Sequence, residues 1–320
     1  MEKIEIHLDN PSAAYFPGQN LKGNVSINTQ KPQTIQSINI RVHGETSTYW
    51  KHYNTTFREH IVFSSKMVHL DDVTSLWVAG KTATTLSATN TFSFEFQLSQ
   101  ESPPSFVGKH GSVRYKFLVE VFRFEKKKWE MEKVFSVLPY LDLNRVSRAL
   151  VPVEEKKSMC RVSKKEEAEV MVIIPQRGYT PGETVPVSVA IKNAPSSIKS
   201  LSMKLIQVVH FEAQQDTGHM FKEHLKFHHN TIENEILEVR SKPTLEENLQ
   251  MELTIPEQTP PSFRTKLIQV AYKISVLPGS EKKVELELPL IIGTIQAQPQ
   301  PPTYEASVKS SKGCPPAYQE

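Results

Sequence analysis

Two halves of the chain repeat one plan in strand periodicity, and this constrains the fold more than any other feature. Tyr15-Phe16-Pro17-Gly18 returns 164 residues later as Tyr179-Thr180-Pro181-Gly182. Pro103-Pro104-Ser105-Phe106 returns 157 residues later as Pro260-Pro261-Ser262-Phe263, and the same offset carries Val113, Tyr115, Phe117 and Val119 onto Val270, Tyr272, Ile274 and Val276. Around these markers apolar residues alternate with polar ones: Ile4, Ile6, Leu8; Leu21, Val25, Ile27; Ile38, Ile40, Val42; Phe92, Phe94, Phe96, Leu98; Val185, Val187, Val189, Ile191; Met251, Leu253, Ile255; Val284, Leu286, Leu288, Leu290. A period of two places one face of each strand in a core and the other in water, the pattern of antiparallel sheets packed face to face. No comparably long amphipathic helix competes. The expected fold is all-β: two tandem immunoglobulin-like β-sandwiches. In each repeat Pro-Gly suits a turn ahead of a strand, because proline presets φ at one position and glycine accepts φ > 0 at the next. Tyr15, Pro17, Gly18 and their copies, with Phe106 and Phe263, are therefore expected to be turn and core residues.

Three hundred and twenty residues suffice for two cored domains of this kind. The alternation lapses between Leu141 and about Lys165, so the expected units are residues 1–146 and 147–293, the second including a crossover linker at 147–165. From 294 to 320 the chain is rich in Pro, Gln and Ser and poor in large aliphatics. Such a composition buries too little to offset the entropy of ordering, so a disordered C-terminal tail is expected.

Lys+Arg 38 against Asp+Glu 35 is too balanced for the basic face of a nucleic-acid-binding protein, and no nucleic-acid partner is expected. Cys160 and Cys314 are the two cysteines, with no Cys-x-x-Cys spacing, which argues against a disulfide framework or a thiolate zinc site. The charged, alternating start MEKIEIHLDN lacks the apolar core of a signal peptide, and no apolar run reaches the ~20 residues of a membrane span. A cytoplasmic protein is expected. The chain has no G-x-S-x-G, H-E-x-x-H, P-loop or G-x-G-x-x-G, and the expectation is a protein that is not an enzyme and uses no cofactor or metal.

The tail carries the most specific motif. Pro301-Pro302-Thr303-Tyr304 and Pro315-Pro316-Ala317-Tyr318 are two copies of Pro-Pro-x-Tyr, the ligand of WW domains. Paired prolines hold a polyproline II turn that lies in an aromatic groove at little entropic cost, and the tyrosine fills a neighbouring pocket and sets direction. At this composition the chance expectation is about 0.04 copies in the whole chain. Pro301, Pro302, Tyr304, Pro315, Pro316 and Tyr318 are the candidate WW-binding residues. The motifs start 14 residues apart, a stretch of about 43 Å at polyproline rise, so two WW domains can bind together.

The segments PPSFVGKHGSVRYKFLVEV (103–121), LPYLDLN (138–144), GYTPGETVPVSVAIKN (178–193) and VAYKISV (270–276) resemble the arrestin family, specifically the α-arrestins or arrestin domain-containing proteins. The likeness spans essentially the whole chain. It implies N- and C-terminal arrestin lobes serving as a cytosolic adaptor. Such an adaptor links membrane receptor or transporter cargo to WW-domain HECT-type ubiquitin ligases, promoting ubiquitination, endocytosis and protein transport, with recruitment to the plasma membrane or endosomes. The alternative is an arrestin-fold sorting scaffold that works as a coat subunit without recruiting a ligase, and the Pro-Pro-x-Tyr pair discriminates against it.

Three further features invite sharper readings. Lys126, Lys127 and Lys128 are expected at a hairpin tip, as a solvated turn or, alternatively, as a peripheral contact with phospholipid head groups. His210, His219, His224, His228 and His229 are read as a surface hairpin with scattered histidines, because no carboxylate or cysteine completes a metal pattern. Cys160 is read as an idle or buried thiol, since its surroundings match no redox motif.

Overall fold

A computed structural model describes residues 3–56, 58–80, 84–123, 128–160, 167–192, 200–216, 221–238, 246–278 and 285–298. The chain is an all-β protein of two lobes, each built from two layers of strands around an apolar core; one fourteen-stranded hydrogen-bonded sheet runs through both lobes and a four-stranded sheet completes the second.

In the N-terminal lobe a single 35-residue strand, Asn20–Asn54, belongs to both layers. Its first part pairs antiparallel with Lys3–Leu8 on one side and with Thr84–Gln97 on the other. Its later part pairs with Glu59–Val78 and with Gly111–Arg123, and Lys128–Val137 extends that second sheet. The alternation around residues 21–27 and 38–42 suggests two strands, and the structure joins them through Asn28–Gln36. Within it Asn28–Thr34 are polar apart from Pro32, so they carry no apolar period to read. Pro32 also has no N–H to give a ladder. The register with Thr84–Gln97 slips between Thr29 and Gln33, and Ala88 opposite takes a φ of 60°. The strand bends there and passes from one layer to the other.

The C-terminal lobe repeats the plan. Thr184–Lys192 pairs with Glu167–Ile174 and Glu246–Thr254, and Val153–Cys160 lies at the edge of that sheet. Ser200–Asp216 pairs with Phe221–Glu238 and with Ile268–Pro278, which in turn pairs with Leu286–Ile292. The period-two residues are the core: Val113, Tyr115, Phe117, Val119 and Val121 in one lobe and Val185, Val187, Val189 and Ile191 in the other are all essentially buried. Each full burial of such a side chain contributes about 1.5–3 kcal/mol, set against the entropy of ordering.

Corresponding details fall at corresponding places. Gly18 and Gly182 take φ of 84° and 87°, a region glycine enters without a Cβ clash. Their N–H groups donate to Ser99 O and Ile255 O. Ser105 N donates to Val137 O at 2.9 Å while Val137 N donates back to Ser105 Oγ at 2.9 Å; Ser262 and Ile292 repeat the exchange at 2.8 and 3.0 Å. Tyr115 and Tyr272 each donate a hydroxyl to the carbonyl of a proline twelve residues earlier, Pro103 and Pro260, at 2.7 and 2.5 Å.

Phe106 and Phe263, expected as turn and core residues, pack against the core and do more than line it. They are half-buried and meet each other across the lobe boundary, ring centroids 5.3 Å apart. Beside them His110 stands between Trp50 and Phe211, with centroids 6.0 and 5.5 Å away. Thr48 Oγ1 donates to Glu212 O at 2.6 Å. Glu59–Val78 and Ser200–Asp216 form a short antiparallel pair, Phe63 opposite Gln215 and Ser64 opposite Gln214, so hydrogen bonding runs from one lobe into the other.

Candidate functional site

The expected binding residues Pro301, Pro302, Tyr304, Pro315, Pro316 and Tyr318 lie outside the described residues. What the structure supplies is the mount from which they extend. Leu143–Arg145 form a 3-10 turn after Pro139, capped by Asp142, whose carboxylate accepts from Asn144 N at 3.0 Å and from Asn144 Nδ2 at 2.9 Å. These bonds, with Arg145 Nε at 3.6 Å from Asp142 Oδ2, hold the Asp142 carboxyl below its ordinary pKa.

Onto this turn the chain leaving the C-terminal lobe is laid as a strap. Thr294 N donates to Leu141 O at 2.8 Å, Leu141 N to Thr294 Oγ1 at 2.8 Å, and Leu143 N to Ile295 O at 3.1 Å. Asn144 then grips both ways, Nδ2 donating to Gln296 O at 3.0 Å and Oδ1 accepting from Gln298 N at 2.8 Å. Beneath the strap Leu143, Ala149 and Ala297 form a small buried cluster of their own, with Val146 and Ile291 packed against it. A Cβ on Gly293 would collide with the Leu143 side chain, so only glycine permits this approach. Composition places the start of the tail at 294; Thr294–Gln298 are instead docked, because Ala297 is small enough to be buried and Asn144 satisfies backbone groups that composition alone cannot assign. LPYLDLN thus has a second role that its sequence does not announce: it receives the C-terminal segment.

A second candidate surface is the outward face of the N-terminal lobe's larger sheet. A depression of about 490 Å³ is lined by Arg41, His43, Glu45, Lys66, Arg114 and Lys116, among others. Opposite charges interleave across strands: Arg41 Nε lies 3.4 Å from Asp71, Lys66 lies 3.5 Å from Glu45, and Lys116 lies 2.6 Å from Glu132, while the His43 ring is hydrogen-bonded to Asp71 at 3.3 Å. Each such exposed pair is worth only about 0–1 kcal/mol, so the face offers polar contacts of both signs at little cost to the fold. No hydroxyl or thiol nucleophile of serine, threonine or cysteine stands among its lining residues. Nearby His69, bonded to Thr46 Oγ1 at 2.5 Å, is held below its ordinary pKa by burial.

The remaining sequence candidates divide. Lys126 and Lys127 lie outside the described residues. Lys128 is engaged by Glu120 at 2.5 Å and by Glu130, and these carboxylates hold its pKa up. A head-group contact there would have to displace two anions. His219 lies outside the described residues. The backbones of His224, His228 and His229 run in Phe221–Glu238 opposite Ala213, Val209 and Val208. Cys160 ends Val153–Cys160, opposite Glu167, and Cys314 lies outside the described residues. Among the described residues there is no group of three or more His, Cys, Asp or Glu able to hold a metal ion, and no helix long and apolar enough to cross a membrane.

Two sandwiches of one plan, joined through their Pro-Pro-Ser-Phe corners and closed by a C-terminal strap, define an arrestin architecture. Residues 4–144 match the family described as arrestin (or S-antigen), N-terminal domain, and residues 164–297 match arrestin (or S-antigen), C-terminal domain; the chain belongs to the arrestin family, on its α-arrestin or arrestin domain-containing side. It is 26% identical to arrestin domain-containing protein 17 of Caenorhabditis elegans over 319 residues, covering 92% of this chain and 71% of that one. Arrestin domain-containing protein 4 of Mus musculus is 26% identical over 306 residues, covering 90% and 70%. Thioredoxin-interacting protein of Rattus norvegicus is 21% identical over 307 residues, covering 92% and 74%.

Proposed function

We propose that this protein is a non-enzymatic adaptor that recruits a WW-domain ubiquitin ligase of the HECT type through its tail and holds membrane receptor or transporter cargo on its lobes. In this reading it promotes ubiquitination, endocytosis and protein transport, working from the cytoplasm at the plasma membrane or endosomes. The observation that carries the proposal is the pair of Pro-Pro-x-Tyr motifs beginning three residues after the strap of an arrestin-family chain. Arrestin lobes alone would suit many binding roles, because a sandwich fold hosts unrelated functions. The motifs select among them. Two weak sites whose starts lie 14 residues apart on one chain gain from effective concentration when the partner has several WW domains.

The test is the affinity of the full chain for a tandem pair of WW domains at fixed salt, compared with Tyr304→Ala, Tyr318→Ala and the double variant. Each single change is expected to weaken binding by about tenfold or more and the double change to abolish it. An intact chain that fails to bind refutes the ligase reading and leaves the arrestin-fold sorting scaffold in its place.

A further inference from the structure

At the boundary between the lobes a ribbon of two strands runs on past its neighbours. Pairing of Asn20–Asn54 with Gly111–Arg123 ends at Thr48 opposite Gly111, and pairing of Glu59–Val78 with Ser200–Asp216 ends at Phe63 opposite Gln215. The ribbon itself continues to Asn54 opposite Glu59. Among the described residues, therefore, the pairs from Lys51 and Val62 to Asn54 and Glu59 have no third strand beside them. One face of the ribbon is anchored at its base: Trp50 and Phe63, stacked 5.7 Å apart, are buried, with His110 against Trp50. A two-stranded ribbon is marginal by itself, and this anchor holds it to the lobes.

The other face is open and continuous. Residues directly opposite in an antiparallel pair share a face, as do alternate residues along a strand. Tyr49, Lys51 and Tyr53 therefore stand in one surface with Ser64, Val62 and His60, and the Tyr53 and His60 rings meet at 5.1 Å. Tyr49, Tyr53 and Val62 are 53%, 48% and 42% exposed. Lys51 and Arg58 are exposed as well, and neither has a carboxylate partner among the described residues. Glu59 is the single carboxylate from residue 46 to residue 66. This differs from Lys128, where an incoming anion must displace Glu120 and Glu130. Exposed tyrosines beside unpaired cations suit a membrane interface: the ring lies at the apolar boundary, its hydroxyl among the head groups, and the cations meet anionic phospholipid.

We propose that the ribbon face of Tyr49, Lys51, Tyr53, His60 and Val62, with Arg58 at its turn, docks on an anionic lipid bilayer. The inference rests on the membrane half of the reading above and deepens it by naming the surface that meets the bilayer. It does not depend on the ligase.

The experiment is co-sedimentation of the full chain with vesicles of phosphatidylcholine alone, or with about one third phosphatidylserine. The anionic vesicles are expected to hold the chain about tenfold more strongly, a gain that shrinks as salt rises. Lys51→Glu with Arg58→Glu is expected to erase the gain, and Tyr49→Ser with Tyr53→Ser to reduce binding about fivefold. All four positions are exposed, and an unchanged thermal midpoint checks that each variant folds. Lys31→Glu with Arg148→Glu makes the same change in net charge at two other exposed positions, and is expected to keep most of the gain. No preference for anionic vesicles overturns the proposal and leaves the face to a protein partner. An equal loss in the Lys31 and Arg148 variant also overturns it, because net charge would then be the cause. Full binding by the tyrosine variant overturns the seating of this face at the interface. Tandem WW domains are expected to bind all these variants as they bind the parent chain, so failure of the ligase reading is a distinct result.

Discussion

At the scale of single residues, the clearest energetic consequences come from the paired tyrosines. Burial pushes the Tyr272 hydroxyl up to about 12, although the Gln207 amide, which donates to it at 2.8 Å, pulls the other way. Burial likewise raises Tyr115, beyond Tyr272, and raises Tyr179 to about 12. A tyrosine whose folded pKa lies above its unfolded value of 10.0 contributes stability that is fully present below pH 10 and is lost as pH climbs through the folded value. The unfolding midpoint should therefore hold steady to about pH 10 and fall between there and about 12. Tyr272→Phe removes both the bond to Pro260 O and the titration. It is expected to cost about 1 kcal/mol at neutral pH and to flatten the alkaline fall. Thermal unfolding of both proteins across that pH range decides it, and an alkaline slope unchanged in the variant would contradict the assignment.

At the scale of elements, the two Pro-Gly turns are the same device in slightly different surroundings. A Cβ on Gly182 would meet only Glu257 Cγ at 3.8 Å, so Gly182→Ala isolates the backbone penalty of a left-handed φ, about 1–2 kcal/mol. On Gly18 it would also press Gln100 Cγ at 3.0 Å. Both alanine variants should unfold earlier, Gly182→Ala by about 2–4 °C for each kcal/mol and Gly18→Ala by more. A neutral Gly182→Ala in calorimetry would mean that the turn relaxes without cost. These turns are legible in Tyr-x-Pro-Gly because proline and glycine restrict φ locally, and the core strands are legible because Val113 to Val121 and Val185 to Ile191 obey a period of two. The fusion of Asn20–Asn54 into one bent strand is not, since Asn28–Thr34 carries polar residues and Pro32 rather than an alternating signal. Nor is the strap. Asn144 and Gln298 are 154 residues apart, and nothing local in either marks the other as its partner.

At the scale of the whole molecule, the repeat does more than duplicate a domain. Its Pro-Pro-Ser-Phe corners place Phe106 and Phe263 so that the same residue of each lobe meets its counterpart, which turns an internal duplication into an interface. Glycines keep the approach close: a Cβ on Gly108 would lie 2.9 Å from Phe211 Cζ, and one on Gly111 3.1 Å from Ile268 Cδ1. Two kinds of bond then join the lobes, aromatic packing at Phe106–Phe263 and backbone pairing at Phe63–Gln215 with the Thr48–Glu212 bond beside it. A double-mutant cycle separates them. Phe106→Ala and Phe263→Ala are each expected to destabilise, and their combined loss should fall short of the sum by about 0.5–1.5 kcal/mol, the coupling of an edge-to-face ring pair. Chemical denaturation of the four proteins measures it. Strict additivity would leave the joint to its other contacts, the His110–Phe211 ring pair, the strand pairing and the strap, and Thr48→Val, which keeps the shape but removes the donor to Glu212 O, would then be expected to loosen one lobe from the other.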